Sequence, residues 1–211
     1  TTLIKVDAGT TLTLDTDTST NSGLIDDFGI LNLTNGSLTN QVPGGPLGFL
    51  TVESGGLLNL DTASVSLGTV TVLGTGKIET KNGASTIAGA TLINHDAGSK
   101  IVVDAGTTLT LDTDTSTNAG TIDDFGILNL TNGSLTNKIG STSGFVIVES
   151  GAHFNLSSTT VSQGTITNKG TGVIETLAGA STIDHATLIN QDSTTLIKVD
   201  AGTTLTLDTD T

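Results

Sequence analysis

A block of 34 residues occurs twice in this chain. Residues 7–40 read DAGTTLTLDTDTSTNSGLIDDFGILNLTNGSLTN, and residues 104–137 differ only at Ser22/Ala119 and Leu24/Thr121. The offset is 97 residues, and it falls to 96 after residues 41–48, whose counterpart 138–144 is one residue shorter. Residues 194–211 then repeat residues 1–18 without a change. The chain divides into long repeats at approximately 1–97 and 98–193, with a partial third at 194–211. A fixed long period marks an array in which each unit stacks on its neighbours and cannot bury its apolar face alone. Residues 1–211 are therefore expected to form one continuous segment of a longer array.

Inside each long repeat, short runs alternate an aliphatic residue with a small polar one: TLTLD, ILNLT, TVTVL, VIET, TIT. Val, Ile and Thr suit a pleated surface, and Gly, Asn, Ser or Asp interrupts the runs. No segment keeps the apolar spacing of a helix. The second repeat parses into coils beginning near Thr91, Thr121, Phe145 and Thr165, each with three short strands. This predicts an all-β fold, a right-handed parallel β-helix (β-solenoid) with three short strands per coil and about four coils per repeat. Its hand follows the general crossover preference. Roughly eight to nine rungs at ~4.8 Å would make a rod of about 40 Å. Leu12, Leu14, Leu109 and Leu111 should point inward and the intervening threonines outward. Asn-Gly pairs in LTNGSL fit hairpins, but they also fit corners that need positive φ. On this parse residues 194–211 should superpose on residues 1–18 after an axial shift with modest twist. Both terminal strands should be uncapped, with the array continuing by peptide bond or by stacking of subunits.

Composition narrows function. Lys+Arg is 7 against Asp+Glu 21, a net charge of −14, and there is no Trp or Tyr. Nucleic acid needs basic and stacking surfaces, so it is not an expected partner. No run approaches the roughly 18 apolar residues of a membrane helix, so no membrane insertion is expected. The absence of Cys removes disulfides and thiolate chemistry.

Runs such as GTIDDFGILNLTNGSLTN, DAGTTLTLDTDTSTNAGTI and GTITNKGTGVIETLAGASTI resemble the Thr/Gly/Asn-rich solenoid repeats of giant secreted bacterial repetitive adhesins and filamentous-haemagglutinin-like surface proteins. The resemblance covers the whole chain. It implies a structural extracellular fibre or stalk on a bacterial surface or in its matrix, serving adhesion or spacing. Self-association, end to end or lateral, would be its main partnership. It supplies no site residues.

The candidates for chemistry are few. Nineteen of the 21 acids recur between copies; only Asp61 and Asp184 lack an acidic counterpart. Asp15, Asp17, Asp26 and Asp27, with their copies Asp112, Asp114, Asp123 and Asp124, offer hard oxygens near coil corners where calcium could be held. The competing reading is a solvated acidic face that keeps a long rod soluble. A polysaccharide-acting β-helix enzyme or tailspike is a further alternative. It would use paired carboxylates, but the chain lacks the Arg, Tyr and Trp that grip sugars, and no copy departs from the repeat around a cleft, so no enzyme is expected. His95, His153 and His185 stand where the other copy has Gln191, Leu57 and Gly89, and are expected at the surface or at corners. Thr-x-Thr runs at Thr69–Thr71, Thr165–Thr167, Thr11–Thr13 and Thr108–Thr110 would suit ice if they stacked, but on this parse they do not. Asn32/129, Asn59/155 and Asn94/190 are expected to form axial amide ladders.

Overall fold

The computed structural model describes residues 2–211. Three parallel sheets of ten, nine and nine strands run the length of the chain. Successive strands join the three sheets in turn, so each pairs with strands one coil before and after it. The three-stranded coil read from the sequence is the observed one, and no helix occurs among the described residues. At ~4.8 Å per rung the ten-stranded sheet is about 43 Å long.

Alternation along each strand builds the core. In Thr108–Asp112, Leu109 and Leu111 are buried while Thr108 and Thr110 face outward. In Thr11–Asp15 the pattern is the same, and Leu12 and Leu14 pack against the core from the first rung, covered on one side only. The cluster is almost wholly Leu, Ile, Val and Ala, with Phe154 its one aromatic.

Corners are made by single residues with positive φ, and several are not glycine. Thr16, Thr113 and Thr209 have φ of 57°, 57° and 53°, a region hostile to β-branched side chains. Each hydroxyl donates to the preceding carbonyl at 2.6–2.7 Å, which helps to hold the turn. In the Asn-Gly corners it is Asn35 and Asn132 that take positive φ, at 51° and 52°. The glycine answers a different need: a Cβ on Gly133 would lie 2.5 Å from the Asp114 carbonyl oxygen of the rung below.

Two expectations are corrected. The parse into twelve strands per repeat omits Thr115–Asn118, which is a strand of the ten-stranded sheet, as is its neighbour one coil on, Ser134–Thr136. Thr115–Asn118 contains no aliphatic residue, and it buries Ser116 and Asn118 instead. Each repeat thus holds thirteen stacked strands, four coils and one strand more. The copies consequently fall on different sheets. Leu3–Val6 lies in the ten-stranded sheet, Lys100–Val103 in one nine-stranded sheet and Leu196–Val199 in the other. Residues 194–211 do not superpose on 1–18 by an axial shift with modest twist.

Substituting Leu111→Asp should lower stability by at least about 3 kcal/mol, since an unpaired carboxylate would enter a dry core. Thr108→Asp, on the outer face, should change it by about 0.5 kcal/mol or less. Urea denaturation of the two variants checks the pair, and equal effects would contradict the inward assignment.

Candidate functional site

The strands Leu24–Asp27 and Thr121–Asp124 each end in two aspartates, which alternation sends to opposite sides. Asp26 and Asp123 face out. Asp27 and Asp124 are buried, stacked between Val6 and Val52 and between Val103 and Val148 respectively. One oxygen of each accepts a backbone N–H, from Gly29 at 3.1 Å and Gly126 at 3.0 Å. The other oxygen has no hydrogen-bond partner. Burial therefore pushes Asp27 up to about 6 and Asp124 up to about 7.

The Asp-Thr-Asp pairs divide similarly. Asp15 and Asp17 in the first rung are exposed. Asp112 is half-buried, whereas Asp114 is buried and accepts the Ala90 N–H of the preceding coil at 2.7 Å. Burial, with the Asp112 charge adding to it, pushes Asp114 up to about 7. Asp210 accepts the Ala186 N–H at 2.8 Å in the same way.

The eight nominated carboxylates thus do not converge. Among the described residues no three His, Cys, Asp or Glu side chains group closely enough to hold a metal ion. One acidic partnership has no counterpart in the sequence reading: Asp26 with Glu53. Burial first, then the Asp26 charge and hydrogen bond, raise the Glu53 carboxyl. In the second copy Lys169 donates to Glu149 at 2.8 Å, where the first copy has Leu73.

Amide ladders occur as expected and go further. Asn59 donates to Asn32 at 2.8 Å and Asn155 to Asn129 at 2.9 Å on outer faces. A buried ladder runs from Asn94 to Asn118 to Asn137, at 2.7 and 2.6 Å. Asn21 and Asn40 repeat its last step at 2.7 Å.

Two surface features were not anticipated from the sequence. Thr69, Thr91, Thr115, Ser134 and Thr160 are in register on five successive rungs, an outward file of hydroxyls. The Thr-x-Thr runs themselves do not stack, as expected: Thr69 and Thr71 lie between Phe49 and Thr51 on one rung and Thr91 and Ile93 on the next. Second, the hairpin Lys138–Ile139 and Thr142–Ser143 overhangs a groove of about 600 Å³ whose wall includes Gln163, Thr165, Asp184, His185 and Thr187. A cleft is therefore present where the copies differ. His185 is at a corner, with φ 54°, paired to Asp184. His95 and His153 are surface residues, paired to Asp96 at 3.0 Å and to Glu175 at 3.3 Å.

No protein-family model matches the chain, and no curated protein matches it. Among solved structures it is similar to the crystal structure of a TibC-catalysed hyper-glycosylated TibA fragment. Identity is 12%, 97% of each chain is covered, and the TM-score is 0.32, an overlap too loose to bear on function.

The buried acids fix a pH dependence. Their folded pKa lies above the ordinary 3.8, so the folded state holds protons that the unfolded chain releases. The stability they contribute is complete below about pH 4 and is lost as pH rises to about 7. Glu79 and Asp96, which are lowered, act only at more acidic pH. The melting temperature should be higher at pH 5 than at pH 8, and Asp27→Asn with Asp124→Asn should shrink that difference. Calorimetry at the two pH values checks both statements.

Proposed function

We propose that this chain is a structural rod, a stalk or fibre segment of an extracellular bacterial surface or matrix protein that spaces or presents what it carries. Copies of itself, along or beside the rod, are its expected partners. The observation that carries this reading is that every solenoid strand pairs only with strands one coil away, in an uninterrupted stack. Such a body lengthens by insertion of repeats without altering its cross-section. The net charge of −14 keeps parallel rods apart, and calcium enters this reading as a counter-ion for the outward acids. No helix among the described residues is long and apolar enough to cross a membrane.

Adding one complete long repeat should lengthen the particle by about 21 Å, four and one-third rungs at ~4.8 Å, with unchanged width. Small-angle scattering of the chain with and without an inserted repeat measures this, and growth in width would overturn the rod.

The hydroxyl file favours a second reading, a surface that orders water toward ice. Thr115→Lys with Thr160→Lys should then abolish any freezing hysteresis of the protein solution while leaving its melting temperature unchanged. A solution without hysteresis removes this reading.

A further inference from the structure

The groove beneath the hairpin is where the two copies diverge in one chemical direction. Lys138 stands where the first copy has Gln41, Gln163 replaces Leu67, Asp184 replaces Ala88 and His185 replaces Gly89. Each change adds hydrogen-bonding capacity or charge. Thr165 and Thr187, shared with Thr69 and Thr91, complete the wall.

The changes are not needed to build the corner. Leu67 and Gln163 have φ of 64° and 65°, and Gly89 and His185 have φ of 62° and 54°. The same backbone thus forms with either set. His185 adopts, at a cost, a conformation that glycine takes freely. Asp184 accepts from Thr209 at 3.4 Å and pairs with Nδ1 of the imidazole, fixing the ring and leaving Nε2 free. Among the described residues Lys138, like Lys100, makes no ion pair, whereas Lys5, Lys77, Lys81, Lys169 and Lys198 all do.

We propose that this groove binds a neutral oligosaccharide. Its wall mixes donors (the Lys138 ammonium, the Gln163 amide) with acceptors (the Asp184 carboxylate, the Gln163 carbonyl) and two hydroxyls that do both. Sugar hydroxyls also donate and accept, so they can satisfy every one of these groups. The hairpin and the two rungs beside it span about 10 Å of the axis, two steps of ~4.8 Å, which calls for an extended ligand. Asp184 has Asp208 beside it on the next rung, and the rod carries −14, so a polyanion is repelled. No Trp, Tyr or Phe lines the groove and the His185 imidazole is its one small ring, so apolar ligands find no broad platform, and sugar affinity is weak, about millimolar.

The first copy supplies the control variant. Gln163→Leu, Asp184→Ala and His185→Gly together restore residues with which the same corner already folds. Backbone amide NMR of the full chain would be titrated with maltotriose, cellotriose and mannotriose to tens of millimolar, and with trigalacturonate as the charged comparator. The expected result is a saturable shift of Gly164, Thr165 and Thr187 with at least one neutral trisaccharide, weakened by about tenfold or more in the triple variant. No shift with any of the three would overturn the proposal. So would equal binding by the triple variant, or tighter binding of trigalacturonate.

Discussion

Rung-to-rung backbone hydrogen bonding dictates the rest of this molecule. Because strands pair in parallel and in register, each residue sits directly over another with the same inward or outward sense. An inward position that is polar on one rung must be answered on the next, or else left costly. The buried file Asn94, Asn118 and Asn137 shows the first outcome along its length: Asn94 and Asn118 each donate to the amide above, and only the foot of the ladder, Asn94 Oδ1 over Val72, is left without a partner. Asp27 and Asp124 show the second. Their axial neighbours are valines, and each keeps one oxygen without a partner. The same geometric rule thus produces a stabilising ladder and a protonation-sensitive site from side chains that differ by one atom group.

Much of the fold was legible because aliphatic alternation and punctuation coincide with strands and corners. Leu109, Leu111 and Val148 fall where period two places them. The strand Thr115–Asn118 was not legible, since its inward residues are Ser116 and Asn118, and its sequence reads as a polar loop. Only the amide ladder reveals it, and a ladder is a relation between coils rather than within one. The acids posed the same difficulty. Asp123 and Asp124 are adjacent and identical in the sequence, yet one is outward and the other sits in the core. The partnership of Asp26 with Glu53 joins residues on different rungs and has no spacing signature. The groove beneath the hairpin was invisible for a further reason: Lys138, Gln163 and His185 come from three separate corners and meet only once the coils are stacked.

Near-identity of the copies also separates what the rod requires from what it tolerates. Glycines such as Gly126 and Gly133, on which a Cβ would strike backbone of the rung below, are retained with their copies Gly29 and Gly36. By contrast the loop at residues 41–48 and its shorter counterpart differ in both length and sequence. Loops leaving a corner do not enter the axial stack, so they are free to vary. The second copy uses that freedom to raise a hairpin.

Thirteen strands per repeat are one more than a multiple of three, and this has a consequence for how the rod meets its surroundings. Each repeat turns its pattern by a third of a revolution, so any motif on it traces a screw around the axis. Three repeats, thirteen rungs or about 62 Å at ~4.8 Å per rung, bring the motif back to its original azimuth. A twelve-strand repeat would align every copy on one side and give a polar, two-faced ribbon. The thirteenth strand instead hands each shared motif to the next of the three sides, as it does for Leu3–Val6, Lys100–Val103 and Leu196–Val199, so that what the copies have in common winds around the axis and only what distinguishes one copy marks a single side.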